Sequence, residues 1–282
     1  MTGLSVSSYY YKPHPGSAER AHRDADLRDQ IEAIQAEFPR YGYRRVRAWL
    51  KRLGMVVNGK RIRRIMRECG LFPDIRRAFV ATTDSDHGFA VYPNLVKGVE
   101  VNAPNQVWVS DITYIRIATC FVYLAVILDL FSRKVVGWAI SRSLERSLTV
   151  SALQEAIKAR NPPEGIVHHS DRGVQYACSD YTDLLLQHGF RISMSRKGNP
   201  YDNAFAESFM KTLKHEEVLL SDYETYTDVL EGVPHFIEEV YNKRRLHSAL
   251  GYMPPEEYEQ VMMEKSTTAC KLLLILGDQI SS

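Results

Sequence analysis

Three acidic residues occupy positions where predicted elements of the fold could bring them together. Asp111 lies in an apolar, β-branched stretch, and Asp171 directly follows a short apolar strand. Glu207 lies in a predicted helix opened by the segment 199–203, where an Asp or Asn can cap the first turn. Strand ends lie side by side in a sheet, so acids that are distant in sequence can converge there. Taken singly, each acid has an ordinary alternative role as a turn former, a cap or an exposed helical residue.

Three clustered carboxylates would suit phosphodiester transfer. That reaction needs an activated attacking oxygen and a neutralised leaving oxygen, and two divalent cations about 4 Å apart serve both needs. Mg²⁺ prefers oxygen ligands, while three carboxylates without a cation would repel one another and raise one another's pKa. Such a cluster is therefore expected to act with a bound divalent cation.

Basic residues accompany the predicted helix that carries Glu207. Lys211 and Lys214 follow Glu207 by four and seven positions and share its helix face, which would suit a DNA backbone or, alternatively, a surface row of ion pairs. Arg196 and Lys197 lie in a polar loop just ahead of this helix. We expect these four cations to contact DNA.

The elements that must position these side chains alternate along the second part of the chain. Strands are predicted at 107–117, 121–130, 134–140, 166–169 and 191–195, and helices at 144–160, 178–188, 201–217 and 225–243. This order predicts an α/β fold in which helices cover both faces of a mixed five-stranded sheet.

The N-terminal part has a different residue pattern and charge. Apolar residues recur at helical spacing in three short segments, and thirteen Lys or Arg stand between positions 40 and 77 against only Glu68 and Asp74. The pattern predicts a small basic helical bundle of helix-turn-helix type that binds DNA phosphates, although a merely solvated face is the alternative. The expected DNA-binding residues of this part are Arg44, Arg45, Lys60, Arg61, Arg63, Arg64 and Arg67.

Composition excludes several classes of protein. The chain has 282 residues, 45% hydrophobic and 25% charged, with a net charge of +2, which is typical of a globular protein. No apolar run approaches the roughly 20 residues of a membrane span, and no secretory signal is visible. Four cysteines without a CxxC spacing favour a reducing compartment and argue against a cysteine-built zinc site. We expect a cytoplasmic protein without membrane contact.

Several ordered segments add a family resemblance that covers about 41–258. The matching segments are YGYRR at 41–45, WVSDITY at 108–114, DLFSRKVVGW at 129–138, HSDRG at 169–173, NAFAESF at 203–209 and, between 241 and 255, YN, RLH, LGY and PP. In these the chain resembles the second-frame (OrfB) transposases of two-frame bacterial insertion sequences, whose cores are similar to retroviral integrases. The resemblance implies a ribonuclease-H-like core.

The resemblance also implies roles for individual residues. Asp111, Asp171 and Glu207 take the family's catalytic DDE positions and would bind two Mg²⁺ ions, for which Mn²⁺ can substitute. Asp129 belongs to a matching segment but is not carried over as a ligand. The expected domains are a leader at 1–22, a basic helical DNA-binding domain at 23–80, a linker at 81–103, a catalytic core at 104–262 and a tail at 263–282.

The implied activity is cleavage at the 3′ end of an insertion sequence followed by strand transfer through in-line transesterification. The expected partners are double-stranded DNA from the element ends and the target, an upstream-frame transposase partner and further copies of this chain on DNA. Localisation would be bacterial, cytoplasmic and associated with the nucleoid. The alternatives are an inactive DNA-binding accessory or regulator of transposition, and a simple nuclease.

Overall fold

A computed structural model describes residues 17–71, 90–118, 120–196 and 203–280, and the side chains of 17–21 and 269–280 are left out of the description. The chain divides into two compact units, 1–77 and 78–282. No helix in the described part of the chain is long and apolar enough to cross a membrane.

The first unit contains three helices. They are α1 (Ser17–Glu37), α2 (Tyr43–Arg52) and α3 (Gly59–Glu68). Their apolar residues pack on one another, with Ile31, Val46, Leu50 and Ile62 fully buried. Asn58 begins α3 because its side chain accepts the N–H of Lys60 at 2.8 Å, which satisfies one free donor of the first turn. The predicted helical bundle is confirmed.

One boundary of this unit differs from the expectation. The segment 1–22 was expected to be an irregular leader, but α1 already begins at Ser17. The residues that follow Ser17 are Ala, Glu, Arg and Ala, which have high helix propensity and extend the helix beyond its apolar stripe. Residues 1–16 lie outside the described part of the chain.

The second unit is built on a five-stranded mixed sheet. Its strands are β1 (Val107–Arg116), β2 (Phe121–Asp129), β3 (Val135–Ser141), β4 (Val167–Ser170) and β5 (Arg191–Met194). The spatial order is β3-β2-β1-β4-β5, with antiparallel pairing of β1 to β2 and β2 to β3 and parallel pairing of β1 to β4 and β4 to β5. β1 is thus the strand at which the sheet changes from antiparallel to parallel. The predicted fold class is confirmed.

Helices cover both faces of this sheet. They are α4 (Arg146–Arg160), α5 (Val174–Ala177), α6 (Ser179–Gln187), α7 (Ala204–Leu213), α8 (Tyr226–His235) and α9 (Pro255–Ile280). Val107 and Val109 join a core with α7 and α8, whereas Trp108 joins a second core with α4 and α6. This alternation follows from the two-residue period of a strand. Gly137 allows α4 to approach β3, because a Cβ there would collide with the backbone of Ala152.

Two helices continue as π-helical turns, which the periodicity did not predict. Lys214–Val218 extends α7, and Phe236–Asn242 extends α8 just beyond Pro234. Arg245, which is buried, makes two 2.6 Å hydrogen bonds to Glu216 in the first of these turns. Turns of this kind are rare and concentrate at functional sites.

The last helix of the chain was not predicted. The sequence offered no periodic signal after about residue 264, yet α9 runs to Ile280. Its first turns are fixed to the sheet by Glu259, which accepts two hydrogen bonds from Arg160 and one from Ser132 Oγ. Arg160 also lies 3.7 Å from the carboxylate of the fully buried Asp129. The helix is thus held by a buried ionic group that joins residues far apart in sequence.

Candidate active site

Asp111 lies in the middle of β1 and is half-buried. Two-residue alternation from Val107 and Val109 puts it on the sheet face that α7 covers. Burial raises the pKa of the Asp111 carboxyl from 3.8 to about 8, and the negative charges of Asp171 and Glu207 contribute to the increase. Asp111 therefore lies within electrostatic range of both other predicted acids.

Asp171 directly follows β4. Val109 pairs with His169 in the parallel ladder, and the same register continued by two residues leads to Asp111 and Asp171. The carboxylate Oδ1 of Asp171 accepts the N–H of Gly173 at 2.9 Å, and a Cβ on Gly173 would meet that same oxygen at 2.9 Å. A larger residue at 173 would therefore displace this carboxylate from its turn.

A buried histidine fixes the strand ends beneath Asp171. His169 lies between two hydroxyl groups, with Nδ1 2.8 Å from Ser193 Oγ and Nε2 3.1 Å from Ser195 Oγ. The carbonyl oxygen of Ser195 accepts the Nε hydrogen of Arg172 at 2.7 Å. These bonds tie the end of β5 to the loop that carries Asp171.

Glu207 is carried by α7, which packs through Ala206, Phe209, Met210 and Leu213. The Nδ2 group of Asn203 donates to the carbonyl oxygen of Ser110, the neighbour of Asp111, at 3.1 Å. Asn203 was one of the residues that could cap the helix, but its side chain makes no capping bond and joins α7 to β1 instead. The side chain of Glu207 is mostly exposed. The part of it that is buried still raises the pKa of its carboxyl group.

The predicted cations near this helix differ in surroundings. Lys211 is exposed, whereas Lys214 is half-buried with its Nζ 4.6 Å from the centre of the Tyr114 ring. Burial lowers the pKa of Lys214, and the charge of Asp111 acts in the opposite direction. Arg196 is exposed, and Lys197 lies outside the described residues.

The acids converge without forming a preassembled metal site. In the described ranges, no three Asp, Glu, His or Cys side chains are close enough together to bind one metal ion. The charge of Glu207 nevertheless reaches Asp111, and Asn203 anchors the start of α7 beside Ser110. The arrangement therefore collects negative charge at β1 but leaves Glu207 on an exposed helix face.

The basic residues of the first unit lie on two faces of α3. Lys60, Arg63 and Arg67 are exposed and make no ion pair with any acid that the structure describes, whereas Arg61 and Arg64 both bind the carboxylate of Asp24 in α1. The distances are 2.8 Å from Arg61 Nε and 2.5 Å from Arg64 Nη2. One face of α3 is thus neutralised within the unit.

Aromatic rings organise the other face. The guanidinium of Arg63 lies 5.9 Å from the centre of the Tyr43 ring, and that of Arg44 lies 5.7 Å from it. Arg45 lies 5.4 Å from the ring of the buried Tyr41. Two exposed cations, Arg44 of α2 and Arg63 of α3, thus lie beside the Tyr43 ring.

The sequence missed two of the residues that support the acids. Asn203 and Ser195 act through partners that are distant in sequence, so local spacing gives no sign of their hydrogen bonds. The signals that could have identified them are the matching segment at 203–209 for Asn203 and the adjoining polar basic loop for Ser195. His169, whose place beside Asp171 indicated a supporting role, is the exception.

Comparison with known proteins relates these features to a family. The integrase core domain family matches residues 101–200 and 188–255, and an HTH-like domain family matches 21–79. The chain is 37% identical to an uncharacterised 31 kDa protein of insertion element IS600 from Shigella sonnei, over 92% of this chain and 97% of that protein. It is 38% identical to the transposase of insertion sequence element IS904 from Lactococcus lactis, over 83% and 93%.

Among solved structures, a chain of a simian T-cell lymphotropic virus intasome matches with 16% identity and a TM-score of 0.49, over 76% of this chain and 70% of that chain. The relatives in insertion elements match nearly end to end, and the domain matches cover both compact units. The chain therefore belongs to the OrfB-type transposases of two-frame bacterial insertion sequences, with an HTH-like unit ahead of an integrase core.

Proposed function

We propose that this chain is a divalent-metal-dependent DNA strand transferase in which Asp111, Asp171 and Glu207 are the catalytic acids. The observation that supports the proposal is the register of β1 and β4, which brings Asp111 and Asp171 to neighbouring positions, together with the bond of Asn203 that anchors the helix of Glu207 to Ser110. Burial and the charges of the other two acids also raise the pKa of Asp111, to about 8. Carboxylates that raise one another's pKa destabilise the site unless a cation neutralises them.

The donor set suits Mg²⁺ or Mn²⁺, because all three side chains offer carboxylate oxygens. Asp111 and Asp171 would share the ions, and Glu207 would complete the second site. When bound, the ions would supply activation of the attacking oxygen and neutralisation of the leaving oxygen. A shift of the exposed Glu207 side chain towards β1 would complete the set.

The chain's own residues supply position and charge. Asn203 anchors α7 to Ser110, and the turn at Gly173 orients the carboxylate of Asp171. Lys211 of α7 and Lys214 at the start of the π-helical turn that follows would hold DNA phosphates beside Glu207. None of these roles requires a covalent bond between protein and DNA.

The proposed reaction has two displacement steps. In the first, water attacks a phosphodiester at the element end, the bond from phosphorus to the 3′ oxygen breaks, and a free 3′-OH is left. In the second, that 3′-OH loses its proton and attacks a target phosphodiester, and the 3′ oxygen of the target leaves. One phosphodiester is broken and one is made in the second step, so no nucleotide cofactor is needed.

DNA docking would use the first unit and the core together. The exposed face of α3 with Lys60, Arg63 and Arg67 would bind phosphates, and binding would weaken steeply with salt. Joining two element ends requires more than one copy of the chain on DNA, and we propose an upstream-frame transposase protein as a further partner.

A strand-transfer assay tests the proposal. A DNA duplex with a free 3′-OH end is incubated with supercoiled plasmid and Mg²⁺, and joined product is counted for the parent chain, Glu207→Gln and Glu155→Gln. Glu155 is an exposed acid of α4 and serves as the matched control. We expect joining by the parent and the control only. Joining by Glu207→Gln at the parental rate would refute the assignment, and cleavage without joining would indicate a nuclease.

A second candidate is a DNA-binding accessory protein with an inactive core. The exposed position of Glu207 favours it, as does the lack of three metal-binding side chains in close contact within the described ranges. The same assay separates the two functions when it is run with and without the upstream-frame protein. No joining in either condition, with DNA binding intact, would establish the accessory role.

A further inference from the structure

The turn between β2 and β3 contains a backbone conformation that its residue type disfavours. Arg133 has a φ of +62°, in the left-handed region. In the described part of the chain, Arg133 and Tyr252 are the two residues other than Gly, Asn and Asp in this region. Such conformations persist only where the surroundings enforce them, and they concentrate at functional sites.

Asp129 enforces the turn. Its fully buried carboxylate accepts the N–H of Asn105 at 2.6 Å and that of Phe131 at 2.9 Å, and its backbone oxygen accepts the N–H of Arg133 at 2.8 Å. The N–H of Asp129 donates to the carbonyl oxygen of Lys134 at 2.9 Å. The acid that the resemblance left without a role therefore fixes both ends of the turn around Arg133.

The turn places the Arg133 side chain against α7. The guanidinium carbon lies 5.0 Å from the centre of the Phe205 ring, which is 41% exposed and belongs to the residue two positions before Glu207. Among the described residues Arg133 has no acidic partner, whereas the adjacent Lys134 pairs with Glu256 at 3.4 Å. A guanidinium held over a ring by a cation–π contact keeps N–H donors available for an anion.

We propose that Arg133, seated on Phe205, is a DNA-phosphate contact that positions the strand entering the active site beside Glu207. The proposal rests on the proposed function for its substrate. The planar guanidinium fork matches two phosphate oxygens, and the aromatic support limits its rotamers before DNA arrives. The left-handed backbone at Arg133 disfavours the turn, but it places the guanidinium of Arg133 at the start of α7.

Replacing Arg133 with glycine separates this role from a merely structural one. Arg133→Gly removes the guanidinium and also relieves the left-handed backbone, because glycine adopts that region freely. In the full chain we expect an unfolding temperature equal to or above that of the parent. On a labelled linear DNA duplex of arbitrary sequence, the slope of log affinity against log salt should fall by about one. Strand transfer should fall about tenfold, as for loss of one charge-assisted contact.

Two controls isolate the guanidinium. Lys134→Ala removes the neighbouring cation, and Tyr252→Gly relieves the other left-handed position, and both should keep the parental salt slope and transfer rate. A parental slope and rate in Arg133→Gly would overturn the proposal. It would also be overturned if the losses came only with a lowered unfolding temperature, or if either control lost as much.

The salt slope needs no turnover, so this result is independent of the proposed catalysis. If Glu207→Gln retains strand transfer, the assignment of the catalytic acids fails while the DNA contact of Arg133 is still tested by binding. If the slope is unchanged in Arg133→Gly while Glu207→Gln is inactive, only the contact fails.

Discussion

Two aspartates, one in each compact unit, show opposite electrostatic environments. Asp24 is bound by Arg64 and Arg61, and the hydrogen bond from Arg64 is the main cause that holds its pKa below the usual value. Asp111 is half-buried on β1 near Asp171 and Glu207, and its pKa is raised to about 8, chiefly by desolvation. Asp24 has its counter-charges within the chain, whereas Asp111 lies among like charges.

This difference separates an acid that stabilises the fold from an acid placed for a ligand. An aspartate with arginine partners favours the folded state when ionised, and one surrounded by carboxylates disfavours it. The same contrast sorts the cations of α3, because Asp24 neutralises Arg61 and Arg64 and leaves Lys60, Arg63 and Arg67 exposed.

The largest expected effect is the loss of strand transfer when Asp111, the aspartate with acidic neighbours, is replaced. Asp111→Asn should lower strand transfer at least about a thousandfold, because it removes a carboxylate that would bind the ions without changing the side-chain size. The joined product is measured in Mg²⁺ with a duplex that carries a free 3′-OH. Affinity for DNA should stay within about twofold, since the expected phosphate contacts are elsewhere.

Asp183→Asn, on the exposed side of α6, is the matched control and should transfer strands like the parent. Equal activity in Asp111→Asn and the parent would show that the different environments of Asp24 and Asp111 do not identify the catalytic acid.

The second effect is a gain in stability from the same substitution in metal-free protein. The folded-state pKa of Asp111 lies above the unfolded value of 3.8, so stability falls as pH rises from about 4 to about 8 and then levels. Asp111→Asn should therefore raise the free energy of unfolding by at least about 1 kcal/mol above pH 8, with no gain near pH 3. Urea unfolding in EDTA measures it.

Adding Mg²⁺ sharpens this test. The parent should gain stability with Mg²⁺ concentration, because ions that bind only the folded state shift the unfolding equilibrium. Asp111→Asn should gain less. An identical response of the two proteins would show that the raised pKa has no connection with cation binding.

A third effect concerns the two faces of α3. Arg63→Ala should lower the salt slope of DNA binding by about one, since it removes an exposed cation next to Tyr43. Arg61→Ala, on the same helix but paired with Asp24, should leave the slope within experimental error. Fluorescence anisotropy across a salt series compares the two, and equal slopes in both variants would contradict the division into faces.

The smallest expected effect is a change in stability on replacing Asp24, the aspartate with arginine partners. Asp24→Asn should lower the free energy of unfolding by about 0.5 kcal/mol, because its partners are partly exposed and screened by solvent. Since the folded pKa of Asp24 is lowered, this contribution is present above the unfolded pKa and is lost as pH falls through the folded one. Urea unfolding at neutral pH and near pH 3 measures it, and a pH-independent difference would contradict the ion-pair origin.

The sequence predicted the strands well, because a strand depends on the pattern of neighbouring residues. Alternation around Asp111 and the apolar run before Asp171 are properties of neighbouring residues, and the strands were found where that pattern predicted them. The three short helices of the first unit were predictable for the same reason.

The supporting contacts were not predictable, because they depend on partners far away in sequence. Asn203, which could have capped its helix, binds Ser110 across 93 positions, and the buried Arg245 binds Glu216 across 29 positions. The left-handed backbone at Arg133 likewise follows from the Asp129 carboxylate rather than from the preference of arginine. The roles of the three acids and of the DNA-contacting cations stay predictions.

The buried group of Arg160 and Glu259 has a consequence for synthesis on the ribosome. The two residues are 99 positions apart, so the sheet and α4 are translated well before the acid that neutralises the guanidinium. Without Glu259, the carboxylate that the described residues leave beside Arg160 is that of Asp129, at 3.7 Å. This end of the sheet can therefore be completed only after Glu259 has been translated, later than all three proposed catalytic acids.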